Sequence, residues 1–168
     1  MTCLVIIDMQ NGFMNEYTRH LPEKIRQFAN ANHFDCILAT RYCNTPETPC
    51  YRDGWTDCMS HTIDAQLVPE VAGIAGKVFD KHIYSTWTPE FAEFLHHQQF
   101  EKLYFCGVNT DCCVLVSVLN CYDRNQECFV IGDLCASTLG DKIHENALEI
   151  IRGNITPERV LKKDSAFV

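Results

Sequence analysis

Apolar positions along this chain alternate between short unbroken runs and stretches with helical spacing. Residues 2–7 form a continuous, β-branched-rich run without polar alternation, the pattern of a strand covered on both faces. Pro22 fits the first turn of a helix reaching to about Asn32, with Ile25, Phe28 and Ala29 on one face. Residues 36–39 read as a second strand, and residues 77–80, after Gly76, as a third. Between them, residues 40–61 form a long irregular stretch with Pro46, Pro49 and Gly54, followed by a short helical piece over 63–67. Pro89 opens a helix whose Phe91, Phe94 and Leu95 share a face. A fourth strand follows over 103–106, and then a helix over 112–122 that is apolar nearly all round. A fifth strand spans 128–131, a helix stopped by Gly153 spans 142–152, and residues 157–161 close with a last short strand. Strands alternating with helices predict one domain over residues 1–168. Its expected fold class is α/β, a three-layer α/β/α doubly wound sandwich with a mainly parallel, about six-stranded sheet.

In open sheets of this kind, ligands bind beyond the carboxyl ends of the strands. Asp8, Arg41, Lys81 and Cys113 follow the first four strands in turn, so four separated polar groups are delivered to one edge. Cys113 also falls in the first turn of a helix. There the unpaired N–H groups and the macrodipole bias a thiol toward thiolate and can stabilise an oxyanion. A nucleophilic cysteine is the reading this supports.

Composition narrows the function. Hydrophobic residues make up 46% and charged residues 21% of the chain, ordinary for a globular protein. A formal net charge of −8 excludes a nucleic-acid binder of the usual basic kind. The hydrophobic opening run ends at Asp8 without a basic n-region or cleavage site, and no apolar stretch reaches the roughly 20 residues of a membrane span. A cytoplasmic location without membrane partners is the expectation. Eleven cysteines without an export signal read as mostly buried, reduced side chains, Cys3, Cys36, Cys106 and Cys128 lying within strands. No Cys-x-x-Cys pair occurs, which speaks against structural zinc or a thioredoxin-type site.

Three segments, Ile6-Ile-Asp-Met-Gln-Asn-Gly-Phe13, Asp80-Lys-His-Ile-Tyr-Ser-Thr-Trp87 and Gly107-Val-Asn-Thr-Asp-Cys-Cys-Val114, resemble in order and spacing the blocks of the isochorismatase-like cysteine hydrolases. That group includes nicotinamidases and N-carbamoylsarcosine amidohydrolases. Ala39-Thr-Arg-Tyr42 and Gly132-Asp-Leu-Cys-Ala-Ser137 look like further family segments. The resemblance implies a catalytic trio: Cys113 as nucleophile, Asp8 as general base and Lys81 as the cation that orients both. It also implies an oxyanion hole from the backbone N–H groups of Asn109 and Cys113, a cis peptide before Asn109, and a homo-oligomer, dimer or tetramer. The chain departs from metal-using nicotinamidases, because Thr40-Arg-Tyr-Cys-Asn-Thr45 stands where they resemble one another in Asp-x-His. No metal and no cofactor are therefore expected. Relatives that cleave isochorismate can lack the cysteine, so its presence favours acyl chemistry.

Together these residues point to a metal-independent hydrolase acting on a C–N bond of a small amide. Arg41 is the candidate clamp for a substrate carboxylate, and Phe13, Tyr42, Trp55, Tyr84 and Trp87 are candidate walls of an apolar pocket. Two rivals share the fold: a catalytically silent binding or scaffold protein, and a thiol redox sensor using Cys112 and Cys113.

Overall fold

The computed structural model describes residues 1–164. In chain order the elements are β1 (Thr2–Ile7), α1 (Leu21–Ala31), β2 (Cys36–Tyr42), α2 (Pro49–Arg52), α3 (Pro69–Ala72), β3 (Lys77–Lys81) and α4 (Pro89–Gln98). They continue with β4 (Lys102–Val108), α5 (Leu115–Asp123), β5 (Glu127–Ala136), α6 (Asp141–Ile155) and β6 (Val160–Leu161). All six strands run parallel in the order β3-β2-β1-β4-β5-β6.

This order makes the chain work outward from β1 to β3, return to β4 beside β1, and then work outward again. Right-handed crossovers place the two sets of helices on opposite faces, which gives a doubly wound α/β sandwich. β1 lies at the centre, and Leu4, Val5, Ile6 and Ile7 are fully buried. Burial on both faces is why its sequence shows no polar alternation. The order reverses between β1 and β4, so the crevice beyond their carboxyl ends is the place where this topology opens a ligand site.

Two expected elements are corrected. Residues 63–67 form turns and not a helix, and the helical turn there is α3, six residues on. The backbone of this stretch is held from outside: Gln10 Nε2 donates to Ala65 O at 2.8 Å, Asn11 Nδ2 to Ile63 O at 2.9 Å, and Gln10 bridges to Leu67. Ile63 O also accepts from Gln66 N at 3.1 Å, so the segment closes as a tighter i→i+3 turn held by these partners. Gly153 does not stop α6, which runs on to Ile155. Ile155 is fully buried, and that burial outweighs the roughly 1 kcal/mol a mid-helix glycine costs.

Candidate active site

β1 ends at Ile7, and the next residue, Asp8, turns into the left-handed region at φ 50°. Aspartate tolerates this conformation better than most residues. The turn sends the carboxylate inward, where it is fully buried. Two neighbours fix it. Thr40 Oγ1, from β2, donates to Asp8 Oδ1 at 2.7 Å, and Lys81 Nζ, from the end of β3, stands 2.7 Å from Oδ2. Oδ2 takes no hydrogen bond of ordinary geometry beyond this ionic contact, so it keeps capacity to accept a proton.

Lys81 is 1% exposed, and its ammonium also donates to the carbonyls of Ile83 and Tyr84, each at 3.0 Å. Burial works against its charge. The carboxylate of Asp8 and the sulfur of Cys113 outweigh that penalty, and the lysine's pKa is raised above its ordinary value. Lys81 Nζ reaches Cys113 Sγ at 3.5 Å, so one cation touches both acid and thiol.

β4 delivers Cys113 through an unusual turn. Gly107 sits at φ 114°, and a Cβ there would lie 2.1 Å from Ile7 O, so only glycine lets β4 approach β1 at this point. The Val108–Asn109 peptide is cis, and Thr110–Val114 winds as a single π-turn before α5 begins. Asn109 O accepts from Cys112 N at 3.1 Å and from Val114 N at 3.0 Å, leaving the intervening Cys113 N–H outside that pair. Below the turn, Ser117 Oγ donates to Cys113 O at 2.6 Å and accepts from Thr86 N at 2.9 Å. The Cys113 backbone is thereby tied to the segment that follows Lys81.

The thiol differs from expectation. Its hydrogen bond with Cys112, then burial, then the negative charge of Asp8 push the Cys113 pKa well above the ordinary 9.0, with Lys81 opposing. A thiol held in this way needs a base to take its proton before it can act as a nucleophile.

Cys113 opens on a cavity of about 430 Å³ lined also by Asn109, Phe13, Tyr42, Trp55 and Tyr84. Phe13 stacks on Trp55 with ring centroids 5.8 Å apart, and Tyr42 tilts against Trp55 at 5.6 Å. Four of the six candidate substrate contacts thus line the same cavity as Cys113.

Arg41 and Trp87 are not brought there, a correction to two expected contacts. Residues 40 and 42 of β2 face the site, and strand alternation turns Arg41 to the other side. Its guanidinium forms a bidentate pair with Asp80 at 2.7 and 2.8 Å beside a separate cavity with His61 and His82. Trp87 packs edge-on against Phe91, and its Nε1 donates to Ser117 O at 3.1 Å.

Sequence reasoning missed Thr40, Cys50, Asp53, Asp111 and Leu139, of which the last four line the cavity beside Cys113. Thr40 was within reach, because a polar residue two before Tyr42 shares its face once β2 is extended. Cys50 and Asp53 sit at either end of α2, and no periodic signal places that turn.

A family model described as the isochorismatase domain matches residues 2–158. Isochorismatase family protein 1B of Dictyostelium discoideum is 24% identical over 139 residues, 81% of this chain, which spans only 63% of that protein. Nicotinamidase/pyrazinamidase from Bacillus subtilis superposes with a TM-score of 0.80 at 18% identity, over 96% of this chain and 98% of that one. N-carbamoylsarcosine amidase from Thermoplasma acidophilum does so with 0.79 at 20% identity, over 100% and 99%. At such identities these two structures establish a shared fold.

Proposed function

This chain belongs to the isochorismatase family, and from that premise we propose that it is a cysteine hydrolase that cleaves the C–N bond of a small amide. The observation that carries the reading is the bridging ammonium: Lys81 touches Asp8 Oδ2 and Cys113 Sγ at the wall of one cavity. Such a trio suits acyl transfer, which needs a base beside the nucleophile and fixed charge around both.

In the proposed cycle, the Cys113 thiol gives its proton to Asp8 Oδ2 as sulfur bonds to the amide carbon. The carbonyl pair moves onto oxygen, and the backbone N–H groups of Asn109 and Cys113 receive the oxyanion. Protonated Asp8 passes the proton to the nitrogen, the C–N bond breaks, and ammonia or an amine leaves a thioester on Cys113. Water then gives a proton to Asp8 and attacks the thioester carbon. The departing sulfur takes that proton back and the acid is released. Lys81 keeps the carboxylate and sulfur in register and offsets their negative charge. The cycle uses the chain's own side chains, two backbone N–H groups and one water, and calls on no metal.

Ammonia release from a panel of small amides tests it. The native chain is expected to turn over at least one, and Asp8→Asn to lose more than about 100-fold in kcat. Failure on every amide, or full activity of Asp8→Asn, would remove the reading.

A further inference from the structure

The charges around the catalytic cavity are one-sided. Asp53 stands at its rim and Asp111 in its wall, whereas among the described residues no Lys, Arg or His lines it. Lys81 lies behind Cys113, already engaged by Asp8 and two carbonyls. Arg41 is consumed by Asp80 beside another cavity. Among the described residues, no cationic side chain of the lining is placed to receive a substrate carboxylate.

Asp111 has a further property. Its Oδ1 is buried and accepts no hydrogen bond within the described residues, so no protein donor offsets that side of the carboxylate. The same cavity is lined by the rings of Phe13, Tyr42, Trp55 and Tyr84, and aromatic π-clouds attract a positive group. Phe13 and Trp55 stack with their planes only 15° apart, so the lining already holds two parallel rings, the arrangement a planar group can extend.

We propose that this cavity selects a planar amide whose end remote from the scissile bond is cationic, the positive group lying among the aromatic faces and the carboxylates of Asp53 and Asp111. The proposal rests on the hydrolytic reading above for the orientation of the amide toward Cys113. Aromatic faces and carboxylates both favour a cation, and the same carboxylates repel an anion. A neutral ring gains the stacking alone and ranks between.

Three benzamides of similar shape test this, bearing at the para position a trimethylammonium, a hydrogen or a carboxylate. Binding is read calorimetrically on Cys113→Ala, where no chemistry intervenes. Protection of Cys113 against iodoacetamide, read by peptide mass in the native chain, repeats the comparison without a substitution. The expected order is cation, neutral, anion, with about tenfold or more between first and last. The double variant Asp53→Asn, Asp111→Asn is expected to compress that span severalfold. Equal or tighter binding of the carboxylate, an unchanged span in the double variant, or no binding of any of the three overturns the proposal. Ammonia release from the same compounds reports separately on hydrolysis. Charge-ordered binding without ammonia upholds the selectivity and counts against the hydrolase, and ammonia without charge order does the reverse.

Discussion

The Lys81 ammonium lies 2.7 Å from Asp8 Oδ2, and the two side chains are 1% and 0% exposed. A buried pair of this kind is held in place less by its own net energy than by the cost of separating it. Lys81→Met keeps the length and leaves a buried carboxylate without its counter-charge. A loss of about 3–5 kcal/mol in urea unfolding is expected. A loss below about 1 kcal/mol would mean that water reaches Asp8 freely.

Thr40 acts through Asp8. Thr40→Val preserves shape and removes the hydroxyl that donates to Oδ1 at 2.7 Å. Stability is expected to fall by about 2 kcal/mol, as for a hydrogen bond to a charged group. Because the freed carboxylate can rotate, kcat should drop about tenfold while KM holds. A fall in KM-derived affinity with kcat intact would place Thr40 on the substrate side instead.

Gly107 tests how closely β4 and β1 must approach. Any Cβ would meet Ile7 O at 2.1 Å, one residue before Asp8, on a backbone at φ 114°. Gly107→Ala is expected to cost about 3–5 kcal/mol and to displace the base. Thermal melting and turnover measured together would show it, and a variant with native melting and native kcat would contradict the strand geometry.

The pH dependence of the thiol follows from its surroundings. Cys113 is raised above 9.0, so its thiolate fraction grows as pH climbs through and beyond that value. Carboxamidomethylation of Cys113, followed by peptide mass, should therefore rise steadily to at least about pH 9. A plateau below about pH 8 would indicate a preformed thiolate and make Asp8 unnecessary as a base.

His144 should couple acid to the π-turn. Its ring nitrogen bonds Thr110 Oγ1 at 2.8 Å, and burial lowers its pKa below the ordinary 6.5. The unfolded chain then binds the proton first as pH falls past 6.5. Stability is complete above that value and is lost progressively down to the folded pKa. His144→Gln should flatten this acid slope in unfolding experiments from about pH 7 to 5. An unchanged slope would assign the sensitivity to other groups.

What could be read in the sequence followed the physics of burial. β1 was legible because both its faces are covered, and the ends of β1 and β3 placed Asp8 and Lys81 at one sheet edge. β5 runs on to Ala136, past where its apolar run pauses at Gly132 and Asp133, and β4 to Val108. A local pattern cannot see a strand continue where its neighbour supplies the hydrogen bonds. Arg41 was misplaced for a related reason: with β2 ended early it looked like a loop residue free to reach the site, whereas ladder pairing with Asp80 fixes its side. The cavity walls of α2 and residue 139 come from turns whose positions depend on tertiary contacts, which no periodicity encodes.

The claim on which all of this turns is a covalent one, that the amide's acyl group passes through the Cys113 sulfur. Quenching turnover with acid and weighing the peptide that carries Cys113 measures it directly. The account predicts a gain equal to the acyl group less one hydrogen, on that residue and absent from Cys113→Ala, which releases no ammonia. Undiminished ammonia release by Cys113→Ala, or the acyl group on another residue, would contradict it.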